Sequence, residues 1–121
     1  MNSIVKYFTI LLIFLPIACK NKDTSISLIQ EEDLDLQMIA AYEEGMKELE
    51  DGDVISAAKK FNEAELLYPQ SLWAPRSSLM AAYAYYSQLY YDDTIRELER
   101  FLKTYPNHIR KDYAYYLLGM S

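Results

Sequence analysis

One cysteine, one histidine and three glycines stand among the 121 residues of this chain. Cys19 has no second cysteine to pair with, so no intramolecular disulfide staples the fold. Gly45, Gly52 and Gly119 lie far apart, and no glycine-rich loop is present to cradle a phosphate. No nucleophile–base pair and no metal-ligand cluster can be assembled. His108 follows "YPN" and reads as a turn residue. Positive charge is also scarce, with 12 Lys and Arg against 18 Asp and Glu, a net charge of −6. That balance argues against the broad basic footprint of nucleic-acid binding. Strand-like alternation is missing throughout. These absences point to a non-enzymatic, all-helical chain without cofactors.

The one long apolar run, Tyr7–Ala18, follows the basic Lys6. It is shorter than the roughly twenty residues a membrane-spanning helix needs. A charged start, an apolar middle and a small final residue make 1–18 a signal peptide. "LPIAC" resembles the bacterial lipobox, which is cut just before the cysteine that is then acylated. Pro16 stands where leucine is usual, with Leu15 one place back. Cys19 is therefore the expected lipid attachment site, a membrane anchor that needs no transmembrane helix. Lys20 is not the aspartate that retains enterobacterial lipoproteins in the inner membrane, which favours the outer membrane. Loss of Lys6 with the leader leaves 11 basic and 18 acidic residues, a formal charge of −7. Residues 19–33 are expected to form the lipidated N-terminus and a polar tether. The acidic cluster Glu31, Glu32, Asp33 and Asp35 reads as a solvated helix start in preference to a cation site.

From Leu34 onward the apolar period is helical, broken at "EDGDV", "YPQS" and "YPNH". Helices are expected over 34–50, 54–68, 72–88, 92–104 and 110–121. A repeat runs through them. Pro69 and Pro106 are 37 residues apart, and the same shift carries Gly45 to Ala82 to Gly119 and Phe61 to Leu98. Small residues recur where two helices must approach closely, and apolar ones where the second helix faces inward. The pattern resembles the tetratricopeptide repeat, whose period is about 34; the extra residues lengthen the connection between repeats. Thr94 and Phe101 depart from the alanines of that consensus, and Glu48 stands where an aromatic is common. The expected domain is a tetratricopeptide solenoid over 34–121, with a third repeat that holds only a first helix. Either the chain is part of a longer array, or a partner covers that end.

Six of the twelve tyrosines crowd into "AYAYY" (82–86) and "DYAYY" (112–116). In tetratricopeptide proteins, positions 2, 5, 9 and 12 of the first helix line the concave face, while 4 and 11 pack within the stack. Counting from Met38, Pro75 and Asp112, the concave set is Ile39, Tyr42, Met46 and Leu49, then Arg76, Leu79, Tyr83 and Tyr86, then Tyr113, Tyr116 and Met120. Tyr85 and Tyr115 are expected in the core. Further repeats or a curled superhelix could cover the concave face. Alternatively it forms a groove for an apolar, aromatic-rich peptide, with Arg76 available for a carboxylate. The peptide-binding set is then Tyr42, Arg76, Leu79, Tyr83, Tyr86, Tyr113 and Tyr116.

From about Ala41 to the end, and most specifically over "YPQSLWA", "AYAYY", "ERFLKTYPNH" and "DYAYYLLGMS", the sequence resembles the BamD family, lipoproteins of the outer-membrane β-barrel assembly machinery. The lipobox cysteine agrees, and Pro75 is a local departure tolerable near a helix start. The resemblance implies five such repeats, of which this chain carries the N-terminal half. It also implies work at the periplasmic face of the outer membrane, with BamA and other assembly lipoproteins as partners. The implied substrates are the C-terminal segments of unfolded outer-membrane proteins, which alternate apolar residues and end in an aromatic residue bearing a free carboxylate. A secretin pilotin or a cell-division adaptor would share the lipobox and the repeat, but not "DYAYYLLG".

Overall fold

Short polar or proline-bearing breaks cut the helical run of the chain into antiparallel pieces. The computed structural model describes the backbone from Thr24 to Ser121 and side chains from Asp33 onward. The signal peptide expected over 1–18 and the lipid site Cys19 lie outside the described residues. Five helices follow in order: α1 Thr24–Glu50, α2 Val54–Leu67, α3 Ala74–Ser87, α4 Tyr91–Thr104 and α5 Lys111–Met120. Each packs on the next, and the described residues contain no strand. The architecture is the all-α, tetratricopeptide-like stack of helix pairs that the 37-residue repeat implies.

The first helix differs from expectation at its start, which comes at Thr24 and not near Leu34. Residues 24–33 contain neither proline nor glycine, so nothing in them stops a helix from propagating. The segment read as a tether is thus helical from Thr24. The acidic cluster lies inside α1, where the attraction of a helix start for negative charge no longer applies.

Two turns show how one backbone shape is met by different residues. Between α1 and α2, Gly52 takes a φ of +85°, and Asp53 caps α2 by accepting from the Ser56 amide at 3.0 Å. That bond, with a second from the Ser56 hydroxyl, holds the Asp53 carboxyl below its usual range. The residue 37 places on from Gly52 is Leu89, in the turn between α3 and α4, and it too is left-handed, with φ +65°. The cost for a bulky L-residue there is about 1–2 kcal/mol. Leu89 is 66% exposed, so its side chain gives little back. Leu89→Gly is expected to stabilise the protein by about 1 kcal/mol, part of the relieved strain being offset by a freer unfolded chain. A urea midpoint that falls on this substitution would contradict the account.

The core follows from the helical spacing. Val54, Ala57, Ala58 and Phe61 of α2 meet Ala81 and Ala84 of α3. One repeat later, Leu98 and Phe101 of α4 meet Leu79 and Ala82 of α3 and Ala114 and Leu117 of α5. Glycine at position 45 has a specific cause. A Cβ there would come within 2.9 Å of the Phe61 ring, which is fully buried and has nowhere to go. Thr94, which replaces the consensus alanine, is also fully buried, and its hydroxyl donates to the Tyr90 carbonyl at 2.9 Å. A small polar side chain that satisfies itself within its own helix costs the interface little.

A polar cluster ties α2 to α4. Glu65 of α2 is 5% exposed. It accepts from the Arg100 guanidinium at 2.8 Å and from the Tyr105 hydroxyl at 2.7 Å. Arg100 also reaches Asn62 of α2 at 2.9 Å, Glu97 of its own helix at 2.9 Å and Ser78 of α3 at 3.0 Å. Burial and the bond to Glu65 push the Tyr105 hydroxyl far above its ordinary pKa.

Tyr115 corrects an expectation. Its position in the repeat assigns it to the core, but it is 59% exposed. The reason is that α5 packs against α4 through Ala114 and Leu117, and no described helix lies on the Tyr115 side. Tyr85, its counterpart in α3, is half-buried against the α2–α3 core.

Candidate functional site

The first helices of the three repeats, α1, α3 and α5, bring the aromatic face of the chain together. The structure gathers Arg76, Leu79 and Tyr83 of α3 with Tyr113 of α5 around one cleft of about 330 Å³. Met80 and Arg110 complete its lining. Leu79 is buried and forms part of the floor, while Tyr83 and Tyr113 are 39% and 40% exposed and form walls. Burial, with Tyr83 and Tyr86 nearby, raises the Tyr113 hydroxyl above its usual range, and Arg110 opposes the shift. The Tyr113 phenol is therefore a neutral hydrogen-bonding group at physiological pH. Among the described residues neither Arg76 nor Arg110 has a carboxylate within ion-pair distance. A cleft with an apolar floor, phenolic walls and two guanidiniums that no described carboxylate pairs suits an apolar group that carries negative charge.

Arg76 is not loosely placed. Its guanidinium lies 4.8 Å from the centre of the Trp73 ring and 5.6 Å from that of Tyr42. Tyr42 in turn packs edge-on to Trp73 at 5.4 Å and to Phe61 at 5.2 Å. Contact with aromatic faces holds a cation without neutralising it, which leaves the charge available to a ligand. Tyr42 itself lines a smaller cleft of about 240 Å³ between α1 and α3, with Ile39, Glu43, Met46 and Trp73.

Of the residues singled out from the sequence, Arg76, Leu79, Tyr83 and Tyr113 share the larger cleft, and Tyr42 joins through Arg76. Two stand apart. Tyr86 is half-buried, packed on the α3–α5 core with its ring 6.2 Å from that of Tyr91. Tyr116 is 61% exposed and lines neither cleft. Trp73, Met80 and Arg110 were not foreseen. Trp73 and Arg110 are 37 residues apart and so occupy one position of the repeat, just ahead of the residues counted as its first helix. Extending the register backwards by two positions would have found both.

Among the described residues no group of three or more His, Cys, Asp and Glu side chains could hold a metal ion, and no helix is long and apolar enough to cross a membrane.

Comparison with known proteins matches residues 34–121 to the YfiO family, described as outer membrane lipoprotein. The outer membrane protein assembly factor BamD of Caulobacter vibrioides is 33% identical over 99 residues, covering 82% of this chain and 32% of that protein. BamD of Neisseria gonorrhoeae is 37% identical over 79 residues, covering 65% of this chain and 30% of its own length. BamD of Rickettsia prowazekii is 28% identical over 103 residues, with coverage of 85% and 39%. The chain thus spans about a third of the length of the curated relatives it matches.

Proposed function

Because this chain belongs to the YfiO family of outer membrane lipoproteins, we propose that it acts as an outer-membrane protein assembly factor whose concave face holds C-terminal segments of unfolded outer-membrane proteins. The observation that carries the reading is the pair of guanidiniums, Arg76 and Arg110, which no described carboxylate pairs, over an apolar and phenolic cleft. A terminal aromatic residue offers both complements, an apolar ring for Leu79 and the tyrosines and a carboxylate for the arginines. The segment binds extended, so that alternate side chains face the protein.

Titration of a synthetic peptide with alternating apolar residues and a C-terminal phenylalanine tests this. Binding is expected in the micromolar range or weaker, about −8 kcal/mol at the tightest. Tyr83→Ala with Tyr113→Ala is expected to weaken it by on the order of tenfold or more, about 1.4 kcal/mol. Amidation of the peptide terminus is expected to weaken it too. Tyr85→Ala, on the side of α3 that packs on α2, is expected to lower stability and leave affinity unchanged. An amidated peptide that binds as well as the free acid would remove the arginines from the site.

The anchor in this reading is an acylated Cys19. Each buried methylene contributes about 0.8 kcal/mol, so two or more chains hold a protein stably at a membrane. Cys19→Ser is expected to leave the protein in the soluble fraction, and its recovery with outer membranes at the wild-type level would sink the anchor. BamA and the other assembly lipoproteins are the proposed partners, to be sought by pulldown from solubilised outer membranes.

A further inference from the structure

The smaller cleft between α1 and α3 is contiguous with the larger one through a single side chain. Arg76 lines the larger cleft while its guanidinium rests on Trp73 and Tyr42, two walls of the smaller. The two clefts differ in chemistry. The larger has Arg76 and Arg110; among the described residues no cation lines the smaller, its other walls, Ile39 and Met46, are apolar, and Glu43 is its one charged lining group. A carboxylate is better held at the first, which both guanidiniums line, than at the second, whose lining charge is Glu43. An uncharged bulky side chain suits the second, because Ile39 and Trp73 are 39% and 38% exposed and gain from being covered.

We propose that the α1–α3 cleft is a second subsite of the same groove, which takes a bulky apolar side chain upstream of the residue whose carboxylate meets Arg76. Charge fixes the direction: the terminus lies toward α5 and the body of the peptide runs toward α1. Trp73 is then a specificity-determining residue with two roles, as a wall of the upstream subsite and as the plate that holds Arg76 over the downstream one. Ile39 has only the first role, since it lines the smaller cleft alone. This subsite rests on the peptide reading above, and its test separates the two.

The probes are two synthetic peptides of about ten residues, both ending in a free phenylalanine carboxylate. One carries phenylalanine at every alternate upstream position, and the other carries alanine there. Wild-type protein is expected to bind the first about tenfold more tightly. Ile39→Ser, which leaves Arg76 and its aromatic supports in place, is expected to cost the first peptide several-fold and the second less than twofold. Trp73→Ala is expected to weaken both, and the first by the larger factor. Circular dichroism of each variant confirms that its helices are intact. If Ile39→Ser and Trp73→Ala each weaken the two peptides by equal factors, the upstream subsite is refuted while the carboxylate site stands. If wild-type protein binds neither peptide, the peptide reading fails and takes the subsite with it.

Discussion

Arg100→Ala is expected to lower the stability of this protein by about 2–3 kcal/mol, although the residue lies outside every cleft described above. Removal of one partner from a buried ion pair typically costs about 3–5 kcal/mol, because the other charge is left without compensation. The figure is reduced here because the Arg100 side chain is 39% exposed and part of its interaction is screened by water. Glu65 is the group that suffers. Its side chain is only 6% exposed, and without Arg100 its carboxylate keeps the Tyr105 hydroxyl as its remaining hydrogen-bond donor in the cluster. Replacement of both charges, Glu65→Leu with Arg100→Met, is expected to restore most of the loss, since a well-packed apolar pair carries no desolvation penalty. Urea denaturation of the two single variants and the double variant closes the cycle. A double variant as unstable as the sum of the singles would show that packing, and not charge, governs the site.

The same cluster sets an alkaline limit. Burial, and then the bond to Glu65, hold the proton on Tyr105 in the folded protein, above the ordinary value of 10.0. A raised folded pKa contributes stability that is complete below the unfolded value and is lost as pH climbs toward the folded one. Unfolding free energy is therefore expected to be flat in this respect below about pH 10 and to fall above it. Tyr105→Phe should flatten the alkaline slope, though not abolish it, because Tyr85 and Tyr113 are shifted in the same direction.

Phe61→Ala is expected to cost about 3–5 kcal/mol, more than the loss of Arg100. The ring has 0% solvent exposure and fills the space that Gly45 leaves on α1. It also backs Tyr42, with 5.2 Å between ring centres, and Tyr42 supports Arg76. The substitution should thus reach the groove as well as the core. A coupled measurement isolates the close approach. Gly45→Ala in the wild-type background forces a Cβ to within 2.9 Å of the ring and should destabilise, despite alanine's better helix propensity. In a Phe61→Leu background the same change should be close to neutral. Equal effects in the two backgrounds would mean that the glycine answers to something other than this ring.

The stack was legible in the sequence because its determinants are local and periodic. Prolines 69 and 106 end helices, and Gly45 and Ala82 mark close approaches at the same register. Phe61 and Leu98 carry the core opposite them. What escaped was of three physical kinds. The early start of α1 left no trace, since a helix that simply continues needs no signal. The left-handed turn at Leu89 was hidden because the residue there is not the glycine that normally advertises it. The polar cluster joins Asn62 and Glu65 to Arg100 and Tyr105 across 35 to 40 residues, and no local pattern records such a pairing. The groove was half legible. Its tyrosines announced themselves, but Trp73 and Arg110 stand in the connections, ahead of the helical positions that the repeat marks.

Glu65 and Arg100 also bear on how the array comes apart. A solenoid is ordinarily a one-dimensional chain of nearest-neighbour couplings, in which helices can peel from either end one at a time. Here α2 bonds to α4 past the intervening α3, which adds a next-nearest-neighbour coupling to that chain. Helix α3 cannot detach without opening the clamp, and the clamp cannot open without stranding a charge. The three helices are expected to open as a single cooperative block. Amide hydrogens of α2, α3 and α4 are accordingly expected to share one opening free energy in hydrogen exchange. Arg76, Leu79 and Tyr83 of the larger cleft all stand on α3, the helix this clamp encloses, so a bond between α2 and α4 that lies outside the groove helps to hold one of its walls.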